Sequence, residues 1–155
     1  MFVRQKSHEM KNNTSKWVLG HKITFHPTTG DYDLVLCETP AGVQGPPPHS
    51  HSEYKEAFMV MEGELEFFIN GETFICKEGE SVDIPPGTLH TFSNKTNSNC
   101  TWVNIHSPKG FYKFFETFGV PASEDNAIMK SVEPEIIQKV LAMASDFDMA
   151  IPPPR

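Results

Sequence analysis

The sequence predicts an all-β fold of short antiparallel strands, a barrel or sandwich, followed by two α-helices. Two observations carry that prediction. Between Trp17 and Pro108, runs of β-branched and aromatic residues alternate with Gly, Pro and Asn turns. After Pro108 the apolar period changes from that of strands to that of helices. At 155 residues the chain is long enough for one domain with a hydrophobic core.

Residues 1–16, "MFVRQKSHEMKNNTSK", read as a flexible tail. "KITFHPTTGDYDLVLCETP" reads as two strands joined by a Thr-Thr-Gly-Asp turn. "ELEFFINGETFIC" is the clearest hairpin. Leu65, Phe67 and Ile69 share a face, Asn70-Gly71 supplies the positive-φ turn, and Thr73 to Cys76 returns. "ESVDIPPGTLHTFSN" reads as strand, Pro-Pro-Gly turn and strand, and "CTWVNIHS" closes the β region, giving a barrel over 17–108. Residues 109–155 are expected to form two helices and an extended Pro-rich tail packed on the barrel. The first helix carries Phe111, Phe114, Phe115 and Phe118 at helical spacing and stops at Gly119. The second starts near Pro134 and places Ile136, Ile137, Val140, Leu141 and Ala144 on one face.

A net charge of −7 argues against a nucleic-acid partner, whose phosphates would be repelled. The polar start has no apolar core of a secretory signal, and no apolar run is long enough for a membrane span, so the expectation is a cytoplasmic protein. Cys37, Cys76 and Cys100 are widely spaced and read as buried reduced thiols.

His49 and His51 are two apart, so on a strand both imidazoles leave the same face, as two ligands of one ion require. Glu56 has the wrong parity for that face of a straight strand, and a turn or bulge around Ser52–Lys55 is needed to return it. By spacing alone Glu53 competes for the role. His90 follows the Pro85-Pro86-Gly87 turn, on a strand that can face the first across a lumen. Of the other histidines, His8 falls in the tail, His21 and His26 read as surface strand residues, and His106 lies on a strand that can line the lumen. Phe58, Phe67, Phe92 and Trp102 read as core first and pocket wall second. Phe111 and Phe115 read as helix-to-barrel core with a secondary role at the pocket.

The segment from Gly45 through "HSHSEYKE" to Gly63 resembles the first motif of the cupin superfamily: HxH, a four-residue gap, Glu, then Gly. Gly45 precedes His49 by four residues instead of the usual six. "GESVDIPPGTLHTFSN", Gly79 to Asn94, resembles the second motif at every fixed position. "HSPKGFYKFFETFG" and the terminal "IPPP" are similar to small single-domain cupins of the quercetin-dioxygenase-like kind. The resemblance implies a double-stranded β-helix, a jelly-roll barrel, with His49, His51, Glu56 and His90 as metal ligands, which selects Glu56 over Glu53. It also implies a homodimer.

Three neutral imidazoles and one carboxylate around a divalent ion give a net charge near +1. Mixed N and O donors suit Fe(II), Mn(II), Co(II), Ni(II), Cu(II) or Zn(II). Zinc, usually four-coordinate, would have no open position, so Fe(II) or Mn(II) is the expected cofactor of a catalytic site. The leading expectation is an O₂-using dioxygenase acting on a small hydrophobic or aromatic enol or phenol, with Glu56 as general base. The alternatives are a non-oxidative isomerase, cyclase or lyase, and a small-molecule-binding protein without turnover. With no arginine between Arg4 and Arg155, a guanidinium clamp for a carboxylate or phosphate is missing, which disfavours oxalate and sugar-phosphate chemistry.

Overall fold

The computed structural model describes residues 15–153. The tail expected over 1–16 lies outside them up to residue 14, and with it His8. Ser15 and Lys16, assigned to that tail from the sequence, instead open the first strand. Ten strands and three α-helices follow in order: β1 Ser15–Val18, β2 His21–His26, β3 Asp33–Thr39, β4 Lys55–Glu62, β5 Glu64–Ile69, β6 Glu72–Lys77, β7 Ser81–Ile84, β8 His90–Ser93, β9 Cys100–Ser107, α1 Tyr112–Phe118, β10 Val120–Pro121, α2 Ala127–Lys130 and α3 Pro134–Met143. A 3-10 helix, Ala144–Phe147, prolongs α3.

Two antiparallel sheets form the barrel, in strand orders β10-β1-β2-β3-β9-β4-β7 and β6-β5-β8. Alternation decides what faces the lumen. Along β3, Asp33, Val35, Cys37 and Thr39 are buried, and along β9 so are Cys100, Trp102, Asn104 and His106. The core holds Phe58, Val60, Leu65, Phe67, Ile84 and Trp102, all nearly inaccessible. All three cysteines are buried and free, and burial raises each thiol pKa. Among the described residues no helix is long and apolar enough to cross a membrane.

The β5–β6 hairpin forms as the sequence predicts, with Asn70 and Gly71 both at positive φ. The Pro-Pro-Gly segment behaves differently. The strands on either side of it do not pair with each other: β7 pairs with β4 in one sheet, β8 with β5 in the other. It is a crossover between sheets, and it sets His90 on the three-stranded side.

The helical region also departs from expectation. A single turn, α2, and the two-residue strand β10 separate the two expected helices. Of the predicted apolar face of α3, Val140 and Ala144 are buried, Ile136 is partly buried, and Ile137 and Leu141 stay exposed. Phe111, Phe114 and Phe118 anchor α1 to the barrel. Asp33 takes the place of a local cap for α1, its carboxylate accepting from the backbone N–H groups of Gly110 (2.9 Å) and Tyr112 (3.1 Å).

Candidate metal centre

The first motif builds its half of the site by close backbone approach. A side chain at Gly45 would collide with the Phe92 carbonyl, so only glycine lets the chain pass β8 on its way to His49. His49 then pairs with His90 in an isolated two-bond bridge, its N–H donating at 3.1 Å and the His90 N–H returning at 2.9 Å. The two histidines are therefore neighbours on one wall. They do not face each other across the lumen, as the sequence led us to expect. The bends at Ser52 and Glu53 turn the chain so that Glu56, second residue of β4, points inward from the seven-stranded sheet. Glu53 is exposed.

One nitrogen from each of His49, His51 and His90 and one Glu56 oxygen come within 4.8 Å of one another, all from buried residues. Each imidazole is oriented by a backbone carbonyl that accepts from its Nδ1–H: Pro47 for His49 (3.0 Å), Thr88 for His90 (2.8 Å) and Asp148 for His51 (2.7 Å). These bonds fix the tautomers and leave Nε2 for the cluster. Glu56 Oε2 lies 2.9 Å from His90 Nε2 and 3.4 Å from His51 Nε2. Its Oε1 accepts from the Asn104 amide at 3.0 Å and lies 3.2 Å from His106 Nε2.

Burial and neighbouring charges act differently on the members of the cluster. Burial, reinforced by the His90 charge, lowers the His49 pKa to about 3. Burial also opposes the charged forms of Glu56 and His90. Glu56 is nonetheless held well below the carboxylate range by the His106 charge and by the imidazole nitrogens packed against its two oxygens. The Glu56 carboxylate in turn raises His90.

The residues fit a divalent metal on their own terms. His51 Nε2 is buried and has no hydrogen-bond partner, a costly arrangement for a ring nitrogen unless something else meets it there. Three Nε2 atoms and a carboxylate are the donor set that first-row transition ions take.

Beside the cluster lies a cavity of about 70 Å³ lined by His49, Glu56, Asn104, Phe58, Phe92, Trp102, Phe114, Phe115 and Met149, among others. No lysine or arginine lines it. Of the side chains expected to meet a substrate, Phe58, Phe92, Trp102 and Phe115 stand on its wall. Phe67, His106 and Phe111 do not. Phe67 lies behind Phe58, with ring centroids 5.0 Å apart. Phe111 is stacked on His106 at 4.2 Å and edge-on to His51 at 5.0 Å, so it backs the ligands.

His21, expected at the surface, also lines the cavity and is buried. Its ring closes a chain of three bonds. Trp102 Nε1–H donates to Thr39 Oγ1 (2.8 Å), the Thr39 hydroxyl donates to His21 Nδ1 (2.9 Å), and His21 Nε2–H donates to the Gln44 carbonyl (3.1 Å). With every polar atom of His21 and Trp102 engaged, that end of the cavity is chemically apolar. A larger concavity, about 730 Å³, is an external groove between α3 and the outer face of the three-stranded sheet, and none of the four cluster residues lines it.

Asn94 of the second motif is structural. Its amide donates to the carbonyls of Thr39 (3.1 Å), Pro40 (3.2 Å) and Ser98 (2.8 Å), tying three segments behind the site. Asn104 and Asp148 were not anticipated. Asn104 shares the luminal face of β9 with His106, two residues on, which is a signal the alternation carries.

Comparison with known proteins agrees with this geometry. Residues 35–106 match the Cupin_2 family, "Cupin domain". Quercetin 2,3-dioxygenase of Bacillus subtilis is 33% identical over 84 residues, covering 54% of this chain and 24% of that protein. Two solved structures share the fold at 18% identity and a TM-score of 0.57. One is a sugar phosphate isomerase from a cupin superfamily, from Silicibacter pomeroyi, covering 67% of this chain and 74% of its own. The other is an RmlC-like cupin from Shewanella frigidimarina, covering 70% and 92%. The fold is thus a jelly-roll barrel with a buried candidate metal site. The chain has the cupin fold, with residues 35–106 matching the cupin domain.

Proposed function

We propose that this protein is a metal-dependent dioxygenase-type oxidoreductase acting on a small, largely apolar enol or phenol, with His49, His51, Glu56 and His90 as the ligands. The observation that carries this reading is a buried three-histidine, one-carboxylate cluster opening on a small apolar cavity without a cation. Similarity to a quercetin dioxygenase over half of the chain supports the same chemistry.

A bound six-coordinate ion, Fe(II) or Mn(II), would supply Lewis acidity and positions for an acidic substrate oxygen and for O₂. The chain's own residues do the rest. Glu56, held as the carboxylate, takes the acidic proton of the substrate at Oε1, the oxygen not turned toward His90, while the Asn104 amide keeps it oriented. Phe58, Phe92 and Trp102 receive the apolar body and exclude water. A volume of about 70 Å³ is far below the roughly 300–1,000 Å³ of sites for drug-sized ligands. A compact β-diketone or catechol therefore suits it better than a flavonol.

Oxygen uptake by Fe(II)- and Mn(II)-loaded protein tests the reading. Uptake dependent on a small diketone or catechol supports it. No uptake across such a panel overturns it in favour of a non-oxidative isomerase or lyase, or of binding without turnover. The lack of a cation on the cavity wall counts against a phosphate-bearing substrate in either case.

A further inference from the structure

We propose that residues 148–150, at the far end of the chain, are part of the metal centre, and that Asp148 is a positioning residue for His51. The proposal rests on reading His51 as a ligand.

The three imidazoles are not oriented by equivalent means. The carbonyls that receive His49 and His90 Nδ1–H belong to Pro47 and Thr88, each two residues upstream, so those rings are set by their own turns. The carbonyl that receives His51 Nδ1–H belongs to Asp148, 97 residues away. No local carbonyl receives its Nδ1–H, so the hydrogen bond that sets this ring depends on the docked C-terminal segment.

Asp148 is built for that docking. Its backbone is left-handed, φ 54°, at the end of the 3-10 helix, a conformation Asp and Asn tolerate better than most residues. This turns its carbonyl to His51 while its carboxylate reaches the next two residues. One carboxylate oxygen accepts from the Ser52 N–H (2.9 Å) and hydroxyl (2.5 Å), and the other from the Glu53 N–H (2.9 Å). Asp148 thus holds the ligand's ring and the turn that follows it with one residue.

The neighbouring residues lock the segment on both sides. Ala150 and Ser50 exchange backbone bonds of 2.9 and 3.0 Å, between the two motif histidines. Met149 is buried and forms part of the cavity wall. Docking of 148–150 therefore completes both the ligand set and the cavity.

The test is Co(II) binding to full-length protein, read as affinity by chelator competition and as the ligand-field absorption spectrum, in a double-mutant cycle of Asp148→Ala with His51→Ala. Asp148→Ala keeps the carbonyl but removes the carboxylate that aims it at His51, so metal binding is expected to weaken toward the roughly 10–100-fold cost of a lost outer-shell partner, and the Co(II) spectrum to change. In the His51→Ala background it should cost less than about threefold, because the ring it acts through is gone. Unchanged affinity and spectrum in Asp148→Ala, or an equal loss in both backgrounds, overturns the proposal. Wild-type Co(II) binding by His51→Ala alone would instead overturn the ligand assignment on which it rests. Should the alanine variant not fold, Asp148→Asn, which keeps one acceptor oxygen and tolerates the left-handed backbone, carries the same cycle with the same criterion.

Discussion

His21 and His51 are both buried histidines of one barrel interior, and they differ in how their ring nitrogens are engaged. Both nitrogens of His21 are engaged by protein groups, Thr39 on one side and Gln44 on the other. His51 has Nδ1 engaged by Asp148 and Nε2 left without a partner. The comparison teaches how a buried histidine whose hydrogen bonding is complete differs from one that still has a nitrogen to offer. Burial does not distinguish them. Within this pair the unmatched nitrogen does, although His106 has unmatched nitrogens without belonging to the cluster and His90 belongs to it with both engaged.

The comparison breaks most sharply on metal stoichiometry. A His49→Ala/His51→Ala double variant is expected to lose metal binding beyond the roughly 10–100-fold cost of an outer-shell change, whereas His21→Ala should retain one ion per chain. Elemental analysis after gel filtration reads both, and full metal content in the double variant would refute the site.

The next contrast is pH. Burial lowers His21 to about 4 from an ordinary value near 6.5. Below pH 6.5 the unfolded chain takes up the proton that the folded ring refuses, so stability falls as pH drops from 6.5 toward 4. The shift corresponds to about 3 kcal/mol at most. His49, lowered to about 3, and Glu56, also lowered, act in the same direction in metal-free protein. His90, raised by Glu56, acts oppositely above its unfolded value. Urea unfolding of metal-free protein between pH 7 and 4 should show a shallower slope in His21→Gln than in wild type. Equal slopes would show that His21 is not held neutral by the fold.

The smallest expected effect sharpens the same point. Thr39→Val removes the hydroxyl that links Trp102 to His21, leaving two buried nitrogens short of a partner at a cost of about 2 kcal/mol. Metal affinity should not move. A parallel loss of affinity in a Co(II) titration would mean that the two ends of the cavity are coupled.

Much of this was legible in the sequence, for identifiable reasons. β9 and the β5–β6 hairpin follow from alternation and from Asn70-Gly71, both local signals. His49, His51 and His90 stand out by motif spacing, but Glu56 was separable from Glu53 only through family resemblance. His21 reads from the sequence as a surface strand residue, yet it shares the inward parity of Ile23 and Phe25 on β2, a signal the alternation carries. The crossover at Pro85-Pro86-Gly87 reads from the sequence only as a turn, since no local feature states which sheet the next strand will join. Asp148 carried no signal at all. Its role exists only through a contact across 97 residues.

The division of the ligands between the two sheets has a consequence for how the barrel responds to metal supply. Glu56 comes from the seven-stranded sheet, His90 from the three-stranded one, and His49 and His51 from the segment that bridges toward His90. An ion held by all four acts as a rivet through the mouth of the barrel, and its contribution scales with free ion concentration over the dissociation constant. Starved and replete protein should therefore differ in amide exchange most strongly on β4 and β8, the two strands that the rivet joins.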